Sequence, residues 1–190
     1  MGFRGKMVAV TVVCLSATLL SLCFRGAVPL AVTIALGTTA YHLGMRLLVG
    51  LIFDRTMANK ADVGAAWFRE LSWEPRLYRA LRVRRWKAHM PTWSPDCFDP
   101  SRHTWAEIAQ AMCQAELVHE TIAVLSFLPL AVCVACGDWG DAPVFAITSI
   151  LASAVDLSFV VMQRYNRPRV LRIARRMSQK VAQGDVQGST

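Results

Sequence analysis

Four apolar blocks decide what this chain can fold into: Met7–Phe24, Ala27–Phe53, Thr121–Cys136 and Ala142–Met162. With its neighbours, each reaches about 20 residues, the length that carries a helix across roughly 30 Å of hydrocarbon at about 1.5 Å per residue. The expected fold is all-α, an integral membrane bundle of four transmembrane helices at about 7–24, 27–53, 119–137 and 142–163. A cytoplasmic, amphipathic helical insertion at 54–118 lies between spans two and three. Residues 1–180 make a single membrane domain, followed by a polar tail at 181–190 that is expected to fray.

Charge orients the bundle. The net charge is +8, and it is unevenly placed. Arg4 and Lys6 precede span one, basic residues from Arg55 to Arg102 fill the insertion, and Arg164 to Lys180 follow span four. The link Gly137–Asp141 has no basic residue. The positive-inside rule then puts both termini and the insertion in the cytoplasm, in a multi-pass protein of the inner (plasma) membrane. Orientation and anionic headgroups account for this charge, so no nucleic acid is needed. Span one reads as an uncleaved signal anchor, because no small-x-small cleavage site follows it and Arg25-Gly26 makes a tight outer turn into span two. Four of the six cysteines lie in or beside spans, where cysteine serves as a small hydrophobe. Cys133-x-x-Cys136 has no second pair or nearby histidine to complete a metal site. Neither a metal nor a disulfide framework is expected.

The polar residues inside these spans carry the information. His42 and Arg46 are i, i+4, about 40° apart around a helix, and share a face. An arginine facing lipid costs roughly 2.5–3.5 kcal/mol, so the pair should face protein, water or headgroups. It forms one wall of a polar site on the cytoplasmic side. The plainer alternative has Arg46 snorkelling to phosphates and His42 packing between helices. Thr104-x-x-Glu107 is a capping box. A helix starting there runs through Glu116 and His119 into span three, with a kink at Pro129. Glu116 and His119 share a face and lie toward the same side as His42 and Arg46, so the two polar faces can meet. Asp156, inside span four, needs a partner, and Arg46 is a candidate on depth. Pro168 should end the last helix or turn the chain. Gly37, Gly44 and Gly50 thin one side of span two.

The insertion holds Trp67, Trp73, Trp86, Trp93 and Trp105, five of the six tryptophans, and aromatic with basic side chains suits the headgroup level. A helix opened by Pro75 would carry Leu77, Tyr78, Leu81 and Trp86 among Arg76, Arg79, Arg82, Arg84, Arg85 and Lys87. That is a basic amphipathic helix lying in the interface, ended by the Met90–Pro95 stretch.

Several strings stand together in order: His42-x-x-x-Arg46, Trp67-Phe68, Glu74-x-x-x-Tyr78-x-x-Leu81-x-Val83-x-x-Trp86-Lys87-x-x-x-Pro91, Glu116-x-x-His119 and Gln163-Arg-Tyr-Asn-Arg-Pro-Arg169. From Tyr41 to Arg169 the chain resembles the glycosyl-4,4′-diaponeurosporenoate acyltransferase family, small bacterial membrane acyltransferases of carotenoid biosynthesis. It departs at Asp156, where the family leads one to expect asparagine. The resemblance implies transfer of a fatty acyl group to a sugar hydroxyl of a glycosylated isoprenoid or other glycolipid at the inner leaflet. Acyl-CoA or another acyl donor is then a co-substrate, with no bound cofactor.

Such transfer needs a base and a donor to the developing oxyanion. His119, oriented by Glu116, and His42 are rival bases, and Arg46 serves the oxyanion or a phosphate. Lys87, Arg164, Arg167 and Arg169 form a basic rim suited to donor phosphates. Tyr165 and Asn166, which membrane orientation does not require, join it as substrate-binding candidates, with Glu74, Tyr78 and Trp86 from the strings above. No nucleophile elbow or Gly-rich phosphate loop is present, which favours direct transfer over an acyl-enzyme. The alternatives are a non-catalytic membrane scaffold that binds a lipid-biosynthesis partner through the basic aromatic helix, and a small membrane methyltransferase.

Overall fold

A computed structural model describes residues 3–24, 28–92 and 94–187, with side chains for 5–24, 28–92 and 94–180. Among them the α-helices are α1 (Phe3–Cys23), α2 (Leu30–Met57), α3 (Glu74–Ala80), α4 (Val83–Trp86), α5 (Trp105–Leu125), α6 (Leu128–Ala135) and α7 (Ala142–Gln187), with no strand. Four helical stretches are long and apolar enough to cross a membrane: Gly5–Cys23, Leu30–Met57, Trp105–Ala135 and Ala142–Lys180. Val12, Val13, Leu19, Leu20, Val132 and Leu151 on these stretches stay exposed, a surface suited to lipid and poorly suited to water. The turn expected at Arg25-Gly26, the side chain of Trp93 and the last three residues of the tail lie outside the described residues.

The chain divides into two compact units. One takes the chain through Thr56 together with Val118–Leu157, and the other takes Met57–Leu117 together with the chain from Ser158 onward.

The first unit gathers α1, most of α2, the later part of α5, α6 and the start of α7. Met45, Val49 and Ile122 form its core, flanked by Tyr41, Phe53, Val118 and Leu125. The thin side of α2 faces α1. A Cβ on Gly37 would lie 3.5 Å from the Thr18 methyl, and one on Gly44 would lie 3.7 Å from the Thr11 methyl. Small residues let helices approach this closely without a hydrophobic drive between them. Gly50 has nothing within 4 Å.

Pro129 does more than kink its helix. α5 stops at Leu125 and a new helix starts at Leu128. Proline has no N–H, so the Leu125 carbonyl loses its normal donor four residues on. The Tyr41 hydroxyl supplies the missing bond, donating to the Leu125 carbonyl at 2.8 Å.

In the second unit, Ala61, Phe68 and Cys113 form a core with Met57, Val63, Ala65 and Leu117 around it. The capping box forms as expected. The Thr104 N–H donates to Glu107 Oε2 at 2.8 Å, and the Glu107 N–H donates to Thr104 Oγ1 at 3.3 Å. The single amphipathic helix expected after Pro75 does not form. It is broken into α3, α4 and a 3-10 turn at Lys87–His89. Arg82 takes a left-handed conformation, φ +51°, which a continuing helix does not admit. The Leu81 carbonyl then accepts from the Trp86 indole N–H at 2.9 Å. Glu74, Tyr78 and Val83 are buried in protein, so their side of the segment packs inward.

Pro168 does not end its helix. α7 runs through it to Gln187. The proline removes one helix bond, the one to the Arg164 carbonyl. The side chains of Arg164 and Arg167, both in the turn before Pro168, are tied to two carboxylates and three backbone carbonyls between them, as described next, and these ties hold that turn in place.

Candidate functional site

In the first unit, two helices bring basic groups to one carboxylate. Asp156, on α7, is 1% exposed. Arg46, one turn after His42 on α2, pairs through Nη2 with Asp156 Oδ2. The same nitrogen donates to the Ala152 carbonyl at 3.2 Å, and Nη1 donates to the His42 carbonyl at 2.9 Å. His119, from α5, places Nδ1 2.9 Å from Asp156 Oδ1. A carboxylate oxygen only accepts, so Nδ1 donates and Nε2 is the basic nitrogen of that ring. These contacts make Arg46 the counter-ion of Asp156.

His42 is a different case. Its ring nitrogens are buried and have no hydrogen-bond partner among the described residues. The ring stands edge-on to Tyr41, centroids 5.3 Å apart, and Arg46 and Asp156 are near enough to act on it electrostatically. A buried polar group left unpaired costs about 1–3 kcal/mol, which a bound hydroxyl or carbonyl would recover.

The carboxylate beside His119 is therefore Asp156, and the one expected there, Glu116, is engaged elsewhere. Glu116 lies in the second unit with 0% of its surface exposed. Its Oε1 accepts from Arg164 Nη1 at 2.5 Å, and its Oε2 pairs with Arg167. Arg164 also donates through Nε to Glu74 Oε1 at 2.9 Å and reaches the carbonyls of Trp67 and Arg69 at 3.2 and 3.0 Å. Arg167 donates to the Phe68 carbonyl at 2.6 Å. The Tyr78 hydroxyl donates to Glu74 Oε2 at 2.6 Å. Burial first, then the bond to Glu74, pushes the Tyr78 phenol well above its ordinary range, so it remains a donor. Two acids and two arginines thus satisfy each other, as buried charges must. This network builds the fold and leaves Arg164 and Arg167 committed.

The expected rim consequently divides. Lys87 and Arg169 have no carboxylate partner among the described residues. Lys87 Nζ donates to Asn166 Oδ1 at 2.6 Å and sits 4.9 Å from the centroid of the Tyr165 ring. The Arg169 guanidinium lies 4.7 Å from the same centroid and donates to the Tyr165 hydroxyl at 2.9 Å. Tyr78 meets the Tyr165 ring edge-on at 5.3 Å. Trp86 spends its N–H on the turn before it and contributes no polar contact to this cluster. Among the described residues, no group of three or more His, Cys, Asp or Glu side chains is arranged to hold a metal.

A family model described as glycosyl-4,4′-diaponeurosporenoate acyltransferase matches residues 64–176, more than half of the chain. The chain belongs to that acyltransferase family. The matched stretch contains His119 and Asp156 of the first unit and the whole Glu74–Glu116–Arg164–Arg167 network of the second. His42 and Arg46 precede it, so the match is shorter at this end than the resemblance starting at Tyr41. No curated protein and no solved structure matches the chain. Sequence reasoning did not include Asp156 among the candidate site residues, although its signal was present: an acid inside an apolar span, where Arg46 and His119 both reach it.

Proposed function

We propose that this protein is a membrane O-acyltransferase that moves a fatty acyl group onto a sugar hydroxyl of a glycosylated isoprenoid or other glycolipid at the inner leaflet. The family match supports acyl transfer as the reaction. The observation that carries the residue assignment is the His119–Asp156–Arg46 constellation among otherwise apolar helices. Keeping three ionisable groups there is expensive in a membrane and marks a working site.

In this reading Asp156 fixes the His119 ring and its tautomer, and Arg46 fixes Asp156. His119 Nε2 takes the proton from the acceptor hydroxyl. The hydroxyl oxygen attacks the acyl carbonyl, a new C–O bond forms, and the carbonyl becomes an oxyanion. His42, whose ring nitrogens have no hydrogen-bond partner among the described residues, donates to that oxyanion. Collapse breaks the bond to the donor's leaving group, which takes the proton back from His119. The donor is acyl-CoA or another activated acyl compound, and no resident cofactor is required. The basic insertion and both termini face the cytoplasm, a placement supported by the distribution of Lys and Arg.

The test uses membranes containing the full-length protein, a labelled acyl-CoA and a glycolipid acceptor extract. The wild type transfers label. His119→Ala lowers the rate by about 10²- to 10⁴-fold, the contribution of a positioned base, and His42→Ala lowers it as well. Both variants stay in the membrane fraction. Labelled S-adenosylmethionine gives no labelled lipid. Wild-type rates from both histidine variants would overturn the assignment.

A further inference from the structure

We propose that Lys87 and Arg169, held around the Tyr165 ring, form a phosphate-binding site that takes the phosphorylated part of the acyl donor. The cluster lies wholly in the second unit. Both cations are within 5 Å of one ring centroid, so they stand within about 10 Å of each other, about one Debye length at 0.1 M salt. No carboxylate among the described residues neutralises either one. Their neighbours contrast with them, since Arg164 and Arg167, on the same helix, are fully matched by Glu74 and Glu116.

The repulsion is felt. Burial, then the charges of Arg169 and Arg84, hold the Lys87 ammonium below its usual range. Membrane orientation does not explain the arrangement, because it counts positive charges and is indifferent to where their tips point. Here the tips are fixed. Asn166 holds the ammonium, the Tyr165 hydroxyl holds the guanidinium, the ring lies against both, and Tyr78 braces the ring. An ammonium has three donors and a guanidinium five, so each keeps donors for a ligand. Preorganised cations with spare donors and no counter-ion fit a phosphate, which accepts several charge-assisted hydrogen bonds at once. Tyr165 and Asn166 thereby acquire a role as positioning residues.

The identity of the ligand as an acyl donor rests on the acyl-transfer reading, whereas the anion site rests on the geometry alone. Two donors share this chemistry: a nucleotide thioester, with its phosphates in the cytoplasm, and a phospholipid, with its phosphate in the headgroup. The full-length protein in phosphatidylcholine nanodiscs is titrated with coenzyme A by calorimetry. In a second arm, nanodiscs containing phosphatidylglycerol are analysed by native mass spectrometry for retained lipid. Binding of coenzyme A that falls tenfold or more in Lys87→Gln/Arg169→Gln supports the site with a nucleotide donor. Retention of phosphatidylglycerol that is lost in the same variant supports it with a lipid donor. If neither ligand distinguishes the variant from wild type, the proposal is overturned. Lys87→Arg, which keeps the charge, restores binding if the role is electrostatic, and a melting curve shows that the double variant is folded. His119→Ala must still bind the anion, so failure of the site and failure of the catalytic assignment give different results.

Discussion

At the scale of single residues, the deciding contact is Asp156 with two basic partners. Substituting Asn separates its two duties. An Asn oxygen can still accept from His119 Nδ1, but its NH2 then faces Arg46, donor against donor. Asp156→Asn is therefore expected to lose about 3 kcal/mol of stability, chiefly by leaving Arg46 without a counter-ion. Its transfer rate should fall while KM changes little. Adding Arg46→Gln should return most of the stability, measured as melting temperature in detergent. A double variant no more stable than the single one would mean that the pair is not coupled. The Arg46–Asp156 pairing was legible in the sequence, because each charge alone in an apolar span is costly and depth makes them neighbours. The pairing of His119 was not. Its i, i+3 spacing from Glu116 places the two on one face of α5 but leaves the partner of each to α7, which carries Asp156 to His119 and Arg164 and Arg167 to Glu116.

At the scale of elements, proline and its compensations set where helices stop. Pro129 ends α5 because the orphaned Leu125 carbonyl finds the Tyr41 hydroxyl. Tyr41→Phe removes that donor and should cost about 1 kcal/mol, the usual worth of one such bond, seen as a lowered melting temperature. An unchanged melting temperature would show that the carbonyl is satisfied another way. Pro168 sits inside a continuous 46-residue helix. Local rules predicted a stop there because they count the missing N–H and cannot count the arginine ties in the turn before it. The capping box at Thr104 was readable for the opposite reason, since its partners are three residues apart and need no tertiary contact. The break at Arg82 had no such signal, because nothing in a run of helix-forming residues announces a left-handed arginine.

At the scale of the molecule, apolar length gave the helical class and the four candidate spans, and ordered strings gave the family. The substrate is set by neither, since acyl transfer to a lipid-linked sugar asks only for a base, an oxyanion donor and access from the membrane. The most direct measurement is a comparison of total lipid extracts, by mass spectrometry, from cells with the wild-type gene, without it, and with His119→Ala. The wild type should yield a glycolipid heavier by one fatty acyl group, absent from the other two. Identical lipid profiles in all three, with the protein present in the membrane, would contradict the acyltransferase account.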